Sequence, residues 1–100
     1  MSQPESRILN HILAYLKQKG GRWIKIHGGD SPFQEVGIAD ILGCYHGRAV
    51  AIEVKTPTGK LSKKQVIFLD DWASAGGYTC VATSTDPVVE LLAKIDKLGG

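Results

Sequence analysis

Three features of the chain predict an α/β (α+β) fold, ordered α-β-β-β-α-β-α, with helices flanking a mixed four-stranded sheet. Apolar residues recur at helical spacing in three segments, residues 38–55 read as a β-hairpin around His46-Gly47, and a glycine pair follows each of the three helices.

The first helix opens at Ser2-Gln3-Pro4-Glu5 and runs to about Lys19. Ser2 is the expected N-cap, Glu5 completes a capping box, and Gly20-Gly21 end the helix. Its apolar stripe is Ile8, Leu9, Ile12, Leu13 and Leu16, and Glu5 lies on that stripe one turn earlier. Arg22 to His27 alternates around Trp23, Ile24 and Ile26 and reads as a strand. His27-Gly28-Gly29-Asp30-Ser31-Pro32 opens a loop of roughly ten residues, and loops of that length in compact domains tend to be functional.

Ile38 to Tyr45 and Arg48 to Lys55 are the two arms of the hairpin. Gly47 suits the second turn position, and histidine tolerates positive φ at the first. Thr56-Pro57-Thr58-Gly59-Lys60 breaks the strand. Ser62 then caps a second helix with Gln65 at its third position, Leu61 and Val66 are spaced as a hydrophobic staple, and the helix runs through Phe68, Leu69 and Trp72 to about Ala75. Tyr78 to Thr83 is a short apolar strand. Asp86 caps the last helix, Pro87 takes its first position, and Val88, Leu91, Leu92, Ile95 and Leu98 form its buried face up to Gly99. The first three strands suggest an antiparallel meander, and the fourth joins the third in parallel through a right-handed crossover.

A chain of 100 residues, 43% hydrophobic and 22% charged, is expected to fold as one domain spanning 1–100. Its net charge of +2 names no partner, but Lys55, Lys60, Lys63 and Lys64 crowd one short stretch. Such a cluster is either a solvated loop or a phosphate-facing one, and the neighbouring chemistry decides which. Cys44 and Cys80 lack metal-ligand spacing and fall in apolar strands, so both read as small buried hydrophobes in a reducing, cytoplasmic setting. No secretory leader and no membrane-length apolar run is visible.

The chemistry lies in the hairpin. With His46-Gly47 as the whole turn, Tyr45 faces Arg48, Cys44 faces Ala49, and Asp40 falls directly opposite Glu53. Asp40, Glu53 and Lys55 then project from one face of the sheet. Two carboxylates about 5 Å apart repel by about 3 kcal/mol at an effective dielectric near 20. A solvent-facing stripe with Lys55 paired to a carboxylate would explain the pattern without function. The same face, however, carries Ile38, Leu42, Ala49 and Ala51, so a helix should cover it, and carboxylates buried there need a cation or partner.

Gln65 lies in line with Phe68, Leu69 and Trp72, either facing the site or merely closing the box with Ser62. Glu5 is weaker, since first-turn glutamates favour the helix dipole in any case. His11, His27, His46 and Glu35 read as solvated or loop residues. Carboxylate and carbonyl oxygens without Cys or His select Mg²⁺ or Mn²⁺ over zinc. Carboxylates, a lysine and a basic loop leading to a helix N-terminus together point to metal-dependent phosphodiester hydrolysis.

Asp40, separated by twelve residues from Glu53-Val54-Lys55, resembles the PD-(D/E)XK nuclease signature, with Ala39 where proline is usual. Glu5 in the first helix, Gly37-Ile38-Ala39-Asp40, Glu53-Val54-Lys55 and Ser62-x-x-Gln65 together resemble the VRR-NUC (virus-type replication-repair nuclease) family, as a stand-alone phage-type member. That resemblance implies a restriction-endonuclease-like core. It implies Mg²⁺ or Mn²⁺ held by Asp40, Glu53 and the Val54 carbonyl, Lys55 positioning the attacking water, Gln65 orienting that water or the lysine, and Glu5 near the metal. It further implies a homodimer that cleaves branched DNA such as four-way (Holliday) junctions, with no small-molecule cofactor and no membrane. Lys60, Lys63 and Lys64 are the expected DNA-contacting residues. A flap-directed or nonspecific nuclease and a catalytically idle DNA-binding module are the alternatives.

Overall fold

The protein is described by a computed structural model that covers residues 4–27 and 35–99. The expected order holds: α1 (Glu5–Lys19), β1 (Arg22–Lys25), β2 (Ile41–Tyr45), β3 (Arg48–Val54), α2 (Lys63–Ser74), β4 (Tyr78–Ala82) and α3 (Asp86–Asp96). The four strands form one sheet in the order β1-β2-β3-β4. The first three are antiparallel, and β4 lies parallel to β3.

Strand alternation divides the molecule into two unequal layers. On one face Ile41, Val50, Ile52, Val54 and Ala82 meet Ile8, Ile12 and Leu16 of α1 and Val88, Leu92 and Ile95 of α3. This is the main core. On the other face α2 covers a much thinner layer, in which only Ala39, Ala51 and Leu69 are buried, with Leu42, Leu61, Phe68 and Trp72 partly so. The apolar stripes of α1 and α3 face the sheet as their spacing requires.

Several boundaries differ from the expectation, each for a physical reason. Helix α1 starts at Glu5 behind Pro4, whose carbonyl accepts from the Arg7 and Ile8 N–H groups, with no side-chain cap. A start at Ser2 would require helical Gln3 directly before proline, a conformation the proline ring disfavours; Ser2 itself lies outside the described residues, as does 28–34 of the long loop. Strand β2 begins at Ile41, not Ile38, because the side chain of Asp40 takes the Val54 N–H that a further rung would use. The N-cap of α3 is Thr85, and the Ser84 hydroxyl accepts from the Asp86 N–H. That helix ends at Asp96, which leaves Leu98 exposed and outside the core. Cys80 is buried as expected, and burial pushes its thiol up to about 11. Cys44 is exposed, as is Ala49 opposite it, because α2 does not reach that end of the sheet.

A polar cluster ties the end of the molecule remote from Asp40 and Glu53. The Tyr45 hydroxyl donates to Asp96 Oδ1 at 2.7 Å, and Lys19 Nζ lies 3.5 Å from Asp96 Oδ2. His46 Nε2 stands 3.4 Å from the same carboxylate. The tyrosine hydrogen bond, chiefly, holds the Asp96 carboxyl below its ordinary range. Residues from α1, the hairpin turn and α3 thus converge on one carboxylate.

Trp23 lies across its cross-strand partner Gly43 and donates its indole N–H to the Gly20 carbonyl at 2.8 Å. A Cβ at Gly43 would stand 2.2 Å from the Trp23 ring and 2.5 Å from the Arg22 main-chain carbonyl oxygen. Gly43→Ala should therefore lower stability by about 1–3 kcal/mol, measured by urea unfolding. In a Trp23→Ala background only part of that cost should disappear, because the Arg22 main-chain carbonyl oxygen still stands 2.5 Å from the added Cβ.

Candidate active site

The hairpin turn is the two-residue kind: His46 and Gly47 have φ of 49° and 77°, the left-handed pair that matches the twist of flanking strands. Tyr45 faces Arg48, Cys44 faces Ala49, and Ile41 faces Ile52. One further step outward brings Asp40 opposite Glu53, as counted from the sequence. Glu53 shares its face with Ala51, beneath α2, at the end of β3 where the strand leaves the sheet.

Glu53 is 1% exposed, the one fully buried charged or polar residue among those described. Its Oε2 accepts from Gln65 Nε2 at 3.1 Å and stands 3.5 Å from Lys55 Nζ. Its Oε1 is buried with no hydrogen-bond partner among the described residues. Asp40 Oδ2 accepts from the Val54 N–H at 2.8 Å, so Asp40 is pinned to the strand that carries Glu53. Burial is the main reason the Glu53 carboxyl is pushed up to about 7; the Asp40 charge adds to it, and Lys55 opposes both.

Gln65 serves both of the roles open to it. Its backbone N–H donates to Ser62 Oγ at 3.2 Å, and its Oε1 accepts from the Ser62 N–H at 2.8 Å, completing the capping box. With Oε1 so engaged, the amide NH₂ is left to point at Glu53. The cap of α2 therefore orients a site residue.

Gly37 had no assigned role in the quoted motif. It has φ of 87°, and a Cβ there would lie 2.7 Å from the Lys64 carbonyl oxygen. Only glycine lets the segment leading to Asp40 pass this close to the first turn of α2. The signal was its place beside Ile38-Ala39-Asp40.

The remaining candidates are exposed. Glu5 is exposed in the first turn of α1, whose helix packs on the opposite face of the sheet, and no hydrogen bond or ion pair joins it to Glu53 or Asp40. Glu35 is exposed beside Lys64 and Asp71. Lys60, Lys63 and Lys64 are exposed at the loop and first turn that lead into α2. His11 and His27 are exposed, and His46 is taken up by Asp96.

The donors present fit a hard divalent cation. Among the described residues no group of three or more His, Cys, Asp or Glu converges, so the available set is two carboxylates and a main-chain carbonyl. Val54 carries its carbonyl on the same strand edge as the N–H held by Asp40. The unpartnered Oε1 of Glu53 is the strongest sign of fit, because a buried carboxylate oxygen is costly unless a cation meets it or a proton shared with Asp40 neutralises it. No family model matches the chain, and no curated protein matches it. Among the described residues no helix is long and apolar enough to cross a membrane.

The raised carboxyl gives a stability test that needs no substrate. A native pKa of about 7 against an ordinary 4.5 means the folded state binds the proton more tightly. Stability then falls as pH rises from about 4.5 through 7, by up to about 3 kcal/mol. Without divalent ions, Glu53→Gln should raise the melting temperature by about 10–20 °C at pH 8 and by little at pH 4.5. An equal effect at both pH values would contradict a costly buried charge.

Proposed function

We propose that the chain is a metal-dependent structure-specific DNA endonuclease that hydrolyses phosphodiester bonds in branched DNA, four-way junctions above all, as a homodimer. The observation that carries this reading is the buried Glu53, with one oxygen unpartnered, beside Asp40 and Lys55. Asp40, Glu53 and the Val54 carbonyl would hold Mg²⁺ or Mn²⁺, which when bound supplies Lewis-acid stabilisation of phosphate charge.

The residues of the chain divide the remaining work. Lys55, only 15% exposed at its side chain, holds the attacking water by a charged hydrogen bond and places its oxygen in line with the phosphorus. That oxygen bonds to phosphorus and releases its proton to bulk water, the bond to the leaving sugar oxygen breaks, and the leaving oxygen takes up a proton from solvent. Gln65 keeps the Glu53 carboxylate in one orientation, and the Val54 N–H does the same for Asp40. These are positioning roles. Lys60, exposed on the loop between Lys55 and α2, meets the DNA backbone. Glu5, exposed in the first turn of α1, would be an additional acidic residue near the metal. Cutting both strands of a two-fold symmetric junction requires two sites, hence the dimer.

A labelled four-way junction, a flap and a plain duplex, each with and without Mg²⁺, test the reading. Symmetric nicks in the junction alone support it; cleavage of all three points to a nonspecific nuclease, and no cleavage with any divalent ion refutes the activity. Asp40→Asn keeps an acceptor for the Val54 N–H and so the local fold, yet should slow cleavage by about a hundredfold or more, as should Lys55→Ala. Lys60→Ala should reduce the slope of log affinity against log salt by about one, uniformly across DNA sequences.

A further inference from the structure

Helix α2 carries an outward face that its own chain does not use. Gln65, Leu69 and Trp72 turn inward, so Lys63, Ile67, Asp70 and Ser74 form the opposite stripe, flanked by Lys64 and Asp71. Ile67 is 53% exposed, and Val66 and Val36 beside it are also exposed. A groove of about 200 Å³ runs along this flank between Val36, Lys64, Ile67 and Asp71.

The charges on this face oppose the helix that bears them. Lysines occupy the N-terminal turn and aspartates lie toward the C-terminus, with no acidic residue in the first turn and no basic one in the last. That is the unfavourable order for the helix dipole. Lysine and aspartate stand seven residues apart, beyond the three- or four-residue spacing at which they would pair along one helix. Among the described residues none of the four forms an ion pair.

We propose that this face pairs with itself: two copies of the chain meet through antiparallel α2 helices about a twofold axis at Ile67. Such an axis sets Lys63 against Asp70 of the second copy and Lys64 against its Asp71, with both Ile67 side chains at the centre. Four charge pairs then enclose an apolar middle, and the two helix dipoles run antiparallel. The interface is isologous and closed, so it stops at two chains. Helix α2 alone is short for a stable interface, and Val36 on its flank widens the patch. DNA is the poorer occupant, since Asp70 and Asp71 would repel phosphates and Ile67 would stay uncovered. Lys63 and Lys64 therefore face protein, and the phosphate role expected for them falls to Lys60. The surface supplies the interface of the dimer proposed above and rests on that reading. A dimer indifferent to charge reversal would overturn the interface alone, and a monomer throughout would remove the dimer as well. The metal-dependent cleavage keeps its own separate test.

Two measurements decide it. Sedimentation from low micromolar to several hundred micromolar protein should show a monomer–dimer equilibrium. Lys63→Glu with Lys64→Glu should weaken the dimer by about tenfold or more, and adding Asp70→Lys with Asp71→Lys should restore it to within about threefold. All four side chains are exposed, and circular dichroism should show each variant folded. In a Cys44→Ser background, Ile67→Cys should form a disulfide-linked dimer with oxidised glutathione. Ser74→Cys should not, because its two copies would lie about 21 Å apart along the helices. A wild-type monomer throughout the range, a dimer indifferent to charge reversal, or equal cross-linking at 67 and 74 would overturn the proposal.

Discussion

The burial of Glu53 is the constraint around which the thin side of this molecule is arranged. A carboxylate at 1% exposure, facing Asp40 across the hairpin, is a local loss of stability that the fold does not fully offset. Lys55 and the Gln65 amide both meet the same oxygen, and the other oxygen is left without a donor. A protein selected for stability alone would place an apolar residue there. The buried acid, with the capping-box amide pointed at it, is the geometry on which the proposed cation site rests.

The unequal layers serve the same end. The α1 and α3 side supplies a continuous core of isoleucine, leucine and valine, enough to hold the sheet and its register. The α2 side is built from small residues, Ala39 and Ala51, with Leu69 above them. This leaves α2 near the sheet at its N-terminal turn, where Gly37 lets the approach to Asp40 pass beneath Lys64. The hairpin is anchored at its other end by Tyr45 and His46 on Asp96, so the strand positions that set Asp40 against Glu53 are held at both ends.

Much of this was legible in the sequence. A two-residue turn with glycine second leaves only one register, and period-two alternation then puts Asp40, Glu53 and Lys55 on a common face. The Ser62 to Gln65 spacing marked both the start of α2 and the residue that turns toward Glu53. Other features were not legible. Periodicity tells which residues share a helix face but not which side of the sheet the helix packs on, so its place on the apolar stripe kept Glu5 a candidate, weaker than Gln65. Strand pattern tells which way Cys44 points but not where α2 stops covering it. Asp40 ended the β2 ladder by placing its side chain on a main-chain N–H, an event that depends on three-dimensional register and has no local signature.

The central claim is that Asp40 and Glu53 form a cation site. It is tested most directly by calorimetric titration of the protein with Mn²⁺ at pH 8, in the absence of DNA. Saturation at one or two ions per chain, abolished by Glu53→Gln while the fold is retained, is the predicted result. No uptake at millimolar Mn²⁺, or uptake equal in the wild type and the variant, would contradict it.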